Sequence, residues 1–207
     1  MATRRDLKDK PTRQWLAAPE RRRQLLQVAL GVAARRGLGR AGHAEVAKLA
    51  GVAVSSVFLY FPSRQELLAA IVAEIGRFYI ELARGYHDAD GSPLAAVKAH
   101  LHGFADSVKS EPDYAQVWLE WAVLIRNDDG LWDAFLEFQE TMIGIIAGSI
   151  RRAQAAGEVT QALSAPDAAR LVVASAYTLT QLQFMQRSAQ EVHSYAEQAL
   201  DLALSRV

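Results

Sequence analysis

From Pro19 onward the chain sets short apolar stripes at helical spacing between polar breaks. Leu25, Val28, Ala29, Val32 and Ala33 recur at three and four residues, which predicts a helix from Pro19 or Glu20 to Arg36. Pro19 suits a first turn, Gly37 ends the helix, and Arg21, Arg22 and Arg23 fall on its outer side. Two short helices should follow. One, about His43 to Ala50, would bury Val46, Ala47, Leu49 and Ala50; the other would carry Val57 and close at Phe61. They hinge at Gly51, because a tight helix-to-helix turn needs a residue at positive φ. Small Ala47 lets the helices cross closely, and Val52 and Val57 fill the angle between them.

After Phe61, Ser63 and Glu66 form a Ser-x-x-Glu capping box. The stripe Leu67, Leu68, Ile71, Ile75, Phe78, Tyr79 and Leu82 then predicts a helix to about Tyr86, roughly 36 Å long at 1.5 Å per residue. The remainder repeats a grammar of cap, amphipathic helix and short break. Ser92-Pro93 opens a helix to about Lys109, and Ser110 the next, to about Ile125. A turn at Asn127-Asp128-Asp129-Gly130 precedes a helix from about Leu131 to Ala156, closed by Gly157. Ser164 caps a helix from about Ala165 to Arg187, and Ser188 caps the last, to about Ser205. The fold class is therefore all-α, with about nine helices. The expected division is a basic arm (1–18), a three-helix head (19–62) and a helical regulatory and dimerisation body (63–207).

Composition narrows the function. The apolar share of 51% reflects mostly Ala and Leu, with only 13 Gly and 6 Pro, which favours helices over strands. No charge-free run of about 18 apolar residues, the length a membrane-spanning helix needs, appears. The polar N-terminus lacks a secretory h-region. With no cysteine, disulfide and thiolate chemistry are excluded. A cytoplasmic protein without a cofactor is the expectation.

The zero net charge hides a division. Residues 1–72 hold 13 Lys/Arg against 5 Asp/Glu, whereas residues 73–207 hold 10 against 18. A basic head on an acidic body is the footprint of a head that binds a polyanion, although a solvated arm would also look basic. Arg4, Arg5, Lys8, Lys10 and Arg13 carry the arm's charge, which can follow phosphates or enter a minor groove. The two short helices fit a helix-turn-helix, whose second helix enters a DNA major groove. Arg64, on the first turn of the following helix, could meet a phosphate.

The head resembles the TetR family of transcription regulators through Ala50-Gly51-Val52, Tyr60-Phe61, Ser63-Arg64 and Glu66-Leu67. Within it, the LuxR/HapR type of quorum-sensing master regulator is the more similar. Residues 34–44, 57–64 and Val117-Trp118-Leu119-Glu120-Trp121 carry that likeness. The resemblance implies a homodimer on an imperfect A·T-rich palindrome of double-stranded DNA. By position it puts Val54, Ser55, Ser56, Phe58, Leu59 and Tyr60 at the DNA, with Gly42 and His43 at the start of the preceding helix. Relatives carry Asn where this chain has Leu59, which offers a thymine methyl only apolar contact, and Ala53 replaces a common Ser. The alternatives are a small-molecule-sensing repressor outside quorum sensing, or a binding protein with a vestigial head.

The resemblance also implies a pocket in the body at Trp118, Phe135, Gln139 and Ile143. The last three, at i, i+4 and i+8, share a helix face, with Gln139 as a lone polar group; a small apolar ligand or a packed core both fit. On the last two helices, Ala168, Leu171, Val172, Ser175, Thr178, Tyr195, Ala199 and Leu202 would form a four-helix dimer interface, or else complete the monomer core. His100 and His102 diverge around their helix, and His43, His87 and His193 are isolated in sequence, so no metal site is expected. No glycine-rich phosphate loop or nucleophile elbow is present, and no enzyme activity is expected.

Overall fold

The computed structural model describes residues 17–89, 91–124 and 128–204. The helices among them are α1 (Ala18–Arg36), α2 (His43–Ala50), α3 (Val54–Tyr60), α4 (Arg64–His87), α5 (Pro93–Ser110), α6 (Pro112–Leu124), α7 (Asp129–Ala155), α8 (Ala165–Phe184) and α9 (Ala189–Leu204). A 3₁₀ turn, Leu38–Arg40, follows α1. No strand occurs among the described residues.

The helix boundaries follow side-chain caps. The hydroxyls of Ser63, Ser92, Ser164 and Ser188 accept the backbone N–H groups of Glu66, Ala95, Asp167 and Glu191. Each satisfies one donor that the first helical turn leaves free. Three boundaries differ from the sequence reading, one of them the end of α8, which stops at Phe184 instead of near Arg187. Ser110 ends α5 instead of opening α6, because its hydroxyl is turned back to the Ser107 carbonyl and Pro112 starts the next helix. Asp128 caps α7 by accepting the Leu131 N–H, so α7 starts at Asp129, inside the expected turn.

Helices α1, α2 and α3 form the head, and α4 runs from it into the body built by α4–α9. One hydrophobic cluster continues through both, from Leu25, Val46 and Val57 to Ile75, Trp121, Ile146 and Leu200. Side chains also join head and body. Glu120 of α6 accepts the Leu38 backbone N–H at 2.6 Å, next to Gly37 at φ +92°. Gln27 of α1 donates to Tyr114 of α6, which donates to Glu74 of α4 at 3.1 Å. Glu74 also meets Arg77 at 2.7 Å, and the Arg77 hydrogen bond holds the Glu74 carboxyl below its usual range.

Candidate DNA-binding face and internal cavity

The α2–α3 turn rests on backbone geometry. Gly51 adopts φ +65°, and the Val52 N–H donates to the Ala47 carbonyl. Val57 is fully buried, which turns the other side of α3 outward. On that side Val54, Ser55, Phe58 and Leu59 are exposed and Ser56 and Tyr60 are half-exposed; Leu59 reaches 76%. Leu59, so exposed on a two-turn helix, gains little from burial within the chain.

The sequence reading put His43 at the DNA, but its ring is buried. Its Nε2 lies 2.7 Å from the Phe61 carbonyl oxygen, and because a carbonyl only accepts, this nitrogen carries the proton. The ring stacks on Phe58 at 4.0 Å and 7°. His43 thus fastens the start of α2 to the end of α3 and supports Phe58 from behind. Gly42 is half-exposed and provides the extended residue before α2. Arg64 is exposed and donates to the Gly39 carbonyl, bracing the 3₁₀ turn against α4. Arg22 lies 5.1 Å over the Phe61 ring.

Leu49, expected inside, is 50% exposed. The buried stripe of α2 is His43, Val46 and Ala47, with Ala50 partly covered; Leu49 falls outside this i, i+3, i+4, i+7 pattern. Lys48 and Arg40 are also exposed on the head and were not singled out, because a lone cation has no spacing signal. The expected arm residues Arg4, Arg5, Lys8, Lys10 and Arg13 lie outside the described residues.

In the body, Trp118 and Gln139 border one apolar cavity of about 30 Å³. Tyr79, Phe104, Phe138, Met142 and Val172 complete most of the wall. Phe135 and Ile143 do not join it. Phe135 instead packs on Trp121 and Trp132, and Ile143 lies half-buried against the core. Steps of four residues drift about 40° each around a helix, so the face that borders the cavity runs through Phe138, Gln139, Met142 and Ile146. Gln139 donates to the Tyr177 hydroxyl at 2.8 Å, and Tyr177 stacks on Trp118. The Tyr79 hydroxyl and the Trp118 indole N–H are buried without a partner.

His100 also borders the cavity and meets His87, which sequence spacing left isolated. His87 Nε2 lies 3.0 Å from His100 Nδ1, and its Nδ1 lies 2.8 Å from the Ser149 hydroxyl. Ser149 in turn accepts from Arg152 at 2.9 Å. Burial pushes His87 down to about 4, helped by the Arg152 charge. Burial also pushes His100 down to about 3, helped by His87. Both rings are neutral at neutral pH.

The outer face of α8 and α9 is the third surface. Leu171, Ser175, Thr178, Tyr195, Ala199 and Leu202 border a shallow groove, with Leu171 46% and Leu202 81% exposed. Ala168 and Val172, expected on this face, are buried in the monomer. Val172 lies one position round the helix from Leu171 and points to the internal cavity instead.

Comparison with known proteins bears on the family and the fold. Residues 25–71 match the profile of "Bacterial regulatory proteins, tetR family". The HTH-type transcriptional regulator LuxR of Vibrio harveyi is 30% identical over 144 residues, 70% of this chain and 69% of that protein. Among solved structures, a TetR-family regulator from Rhodococcus sp. superposes with a TM-score of 0.76 at 24% identity, covering 89% of this chain and 98% of that one. FadR from Bacillus subtilis, solved in complex with stearoyl-CoA, gives 0.74 at 19% identity, covering 89% and 98%. These two likenesses concern the fold.

Proposed function

Because the chain belongs to the TetR family and is a helix-turn-helix DNA-binding transcription regulator, we propose that it works as a homodimer on an imperfect A·T-rich palindrome. The exposed face of α3 carries this reading: Val54, Ser55, Phe58 and Leu59 point outward from a helix fixed by Val57 and by the His43 brace. In it, α3 lies in the major groove and Ser55 and Ser56 reach phosphates or base edges. Arg4, Arg5, Lys8, Lys10 and Arg13 follow the adjacent backbone, and a second copy across α8 and α9 sets the second recognition helix one turn of DNA away. The identity with LuxR favours a quorum-sensing regulator of that kind.

The body responds to a small apolar ligand in this reading. Its support is the small apolar cavity beside α4, together with the likeness to FadR in complex with stearoyl-CoA. A ligand that fits one spacing of the heads better than another shifts DNA affinity by that difference. The protein acts in the cytoplasm, where its DNA lies.

Selection from randomised duplex DNA by the purified protein at physiological salt tests this function. Enrichment of a roughly palindromic A·T-rich site is the expected result. A folded protein that enriches no sequence would overturn it.

A further inference from the structure

The outward side of α3 is mostly apolar. Val54 is 42% exposed, Phe58 46% and Leu59 76%. They share one side of the helix with exposed Ser55, because positions 54 and 58, and 55 and 59, are four residues apart. Phe58 is held there from behind. Its ring lies at 4.0 Å and 7° against the buried His43 ring, which the Phe61 carbonyl fixes in turn. Within the chain these three side chains keep apolar surface in contact with water, and covering it is favourable.

The helix from Val54 to Tyr60 contains no Arg, Lys, Asn, Gln, Asp or Glu. Those are the side chains that single out guanine, adenine or cytosine by hydrogen bonds to the base edge. The hydroxyls of Ser55, Ser56 and Tyr60 can each donate or accept, so they fit different bases, and phosphates, without telling them apart. The exposed cations Arg40, Lys48 and Arg64 stand on the 3₁₀ turn, on α2 and at the start of α4, and Arg64 is engaged with the Gly39 carbonyl. In a major groove the apolar side of α3 has one apolar feature to meet, the C5-methyl group of thymine. A cytosine amino group or a guanine oxygen set against Leu59 or Phe58 would lose its water without gaining a hydrogen bond.

We propose that α3 reads its site through C5-methyl groups. Val54, Phe58 and Leu59 select base pairs that carry a methyl in the major groove, so the protein distinguishes thymine from cytosine and accepts 5-methylcytosine in thymine's place. This rests on the DNA-binding reading above and names the chemistry selected there. Binding at such positions is then sensitive to C5 methylation of cytosine, a change that leaves base pairing and the minor groove as they were. The preference for A·T pairs also gains a major-groove source, separate from any contact of the arm in the minor groove.

The test uses the full chain on the site enriched from random duplexes. Each thymine is replaced in turn by deoxyuridine, which lacks only the methyl. Where affinity responds, the thymine is then replaced by cytosine or by 5-methylcytosine, with guanine opposite. Deoxyuridine should weaken binding about fourfold at each contacted position, the transfer value of one buried carbon, and 5-methylcytosine should bind about fourfold tighter than cytosine there. Val54→Ala, Phe58→Ala and Leu59→Ala, with folding checked by circular dichroism, should each remove the deoxyuridine penalty at the position that side chain faces. Three results would each overturn the proposal: deoxyuridine tolerated at every thymine, 5-methylcytosine no better than cytosine, or a penalty unchanged in all three variants, which would assign the methyl effect to DNA shape. A pool from which no sequence is enriched overturns the DNA-binding reading itself, whereas a selected site indifferent to deoxyuridine overturns this inference alone.

Discussion

Glu120, on α6 of the body, accepts the backbone N–H of Leu38 in the head at 2.6 Å, while its other oxygen accepts from Gln116 at 2.9 Å. Leu38 is buried and follows a glycine at positive φ, so this carboxylate fixes the turn by which α1 leads into the helix-turn-helix. Glu120→Ala should destabilise the protein by about 1–3 kcal/mol, since the Leu38 N–H loses a charged acceptor. Glu120→Gln keeps a carbonyl oxygen and should lose less. Urea denaturation of the two variants measures both.

His43 distinguishes support from contact. His43→Ala should cost about 1–3 kcal/mol of stability and weaken DNA binding, because the end of α3 and the Phe58 ring lose their brace. The salt dependence of binding should keep its slope, since no phosphate contact is removed. A slope shallower by about one would place His43 at a phosphate instead.

Leu59, at 76% exposure, is the cleanest probe of base preference. Leu59→Asn should leave stability within about 0.5 kcal/mol. Repeating the site selection should show a new preference for adenine at the position it faces, through bidentate contact with the base edge. Identical selected sites for both proteins would mean that this side chain reads no base.

Acid should weaken the fold through the His87–His100 pair. Both have folded values, about 4 and about 3, below the ordinary histidine value of 6.5. Above that value neither the folded nor the unfolded state is protonated, and stability is independent of these groups. As pH falls below it, the unfolded chain takes up protons that the folded core refuses, so stability falls until the folded values are reached. The midpoint of thermal unfolding should therefore drop between pH 7 and pH 4. The drop should be shallower in His100→Gln, which removes one of the two groups.

The outer face of α8 and α9 should hold two copies together. Leu171→Glu with Leu202→Glu sets two charges on exposed positions of that groove and should yield a folded monomer in sedimentation velocity. DNA affinity should fall with it, because two linked heads bind far more tightly than one. Val172→Ala, inside the bundle, should instead destabilise by about 0.5–1.5 kcal/mol or more without changing the oligomeric state.

The sequence by itself determined the helices and which side of α3 is exposed, because both depend on local rules. Ser63, Ser164 and Ser188 announce helix starts by their spacing to an acidic residue or a following stripe, Gly51 announces the turn, and Val57 fixes which side of α3 is inside. Which groups meet across the bundle was decided only by the tertiary structure. His43 and Phe61 are 18 residues apart, His87 and Ser149 are 62, and Leu38 and Glu120 are 82. No periodicity encodes such pairs. Likewise the i, i+4, i+8 spacing of Phe135, Gln139 and Ile143 defined a helix face but not what it packs on. The rotation of α7 against α4, α5 and α8 set Phe138 and Met142 at the cavity and Phe135 among the tryptophans. Helical period is a property of one segment, whereas the angle at which packed helices present their faces depends on all their neighbours at once.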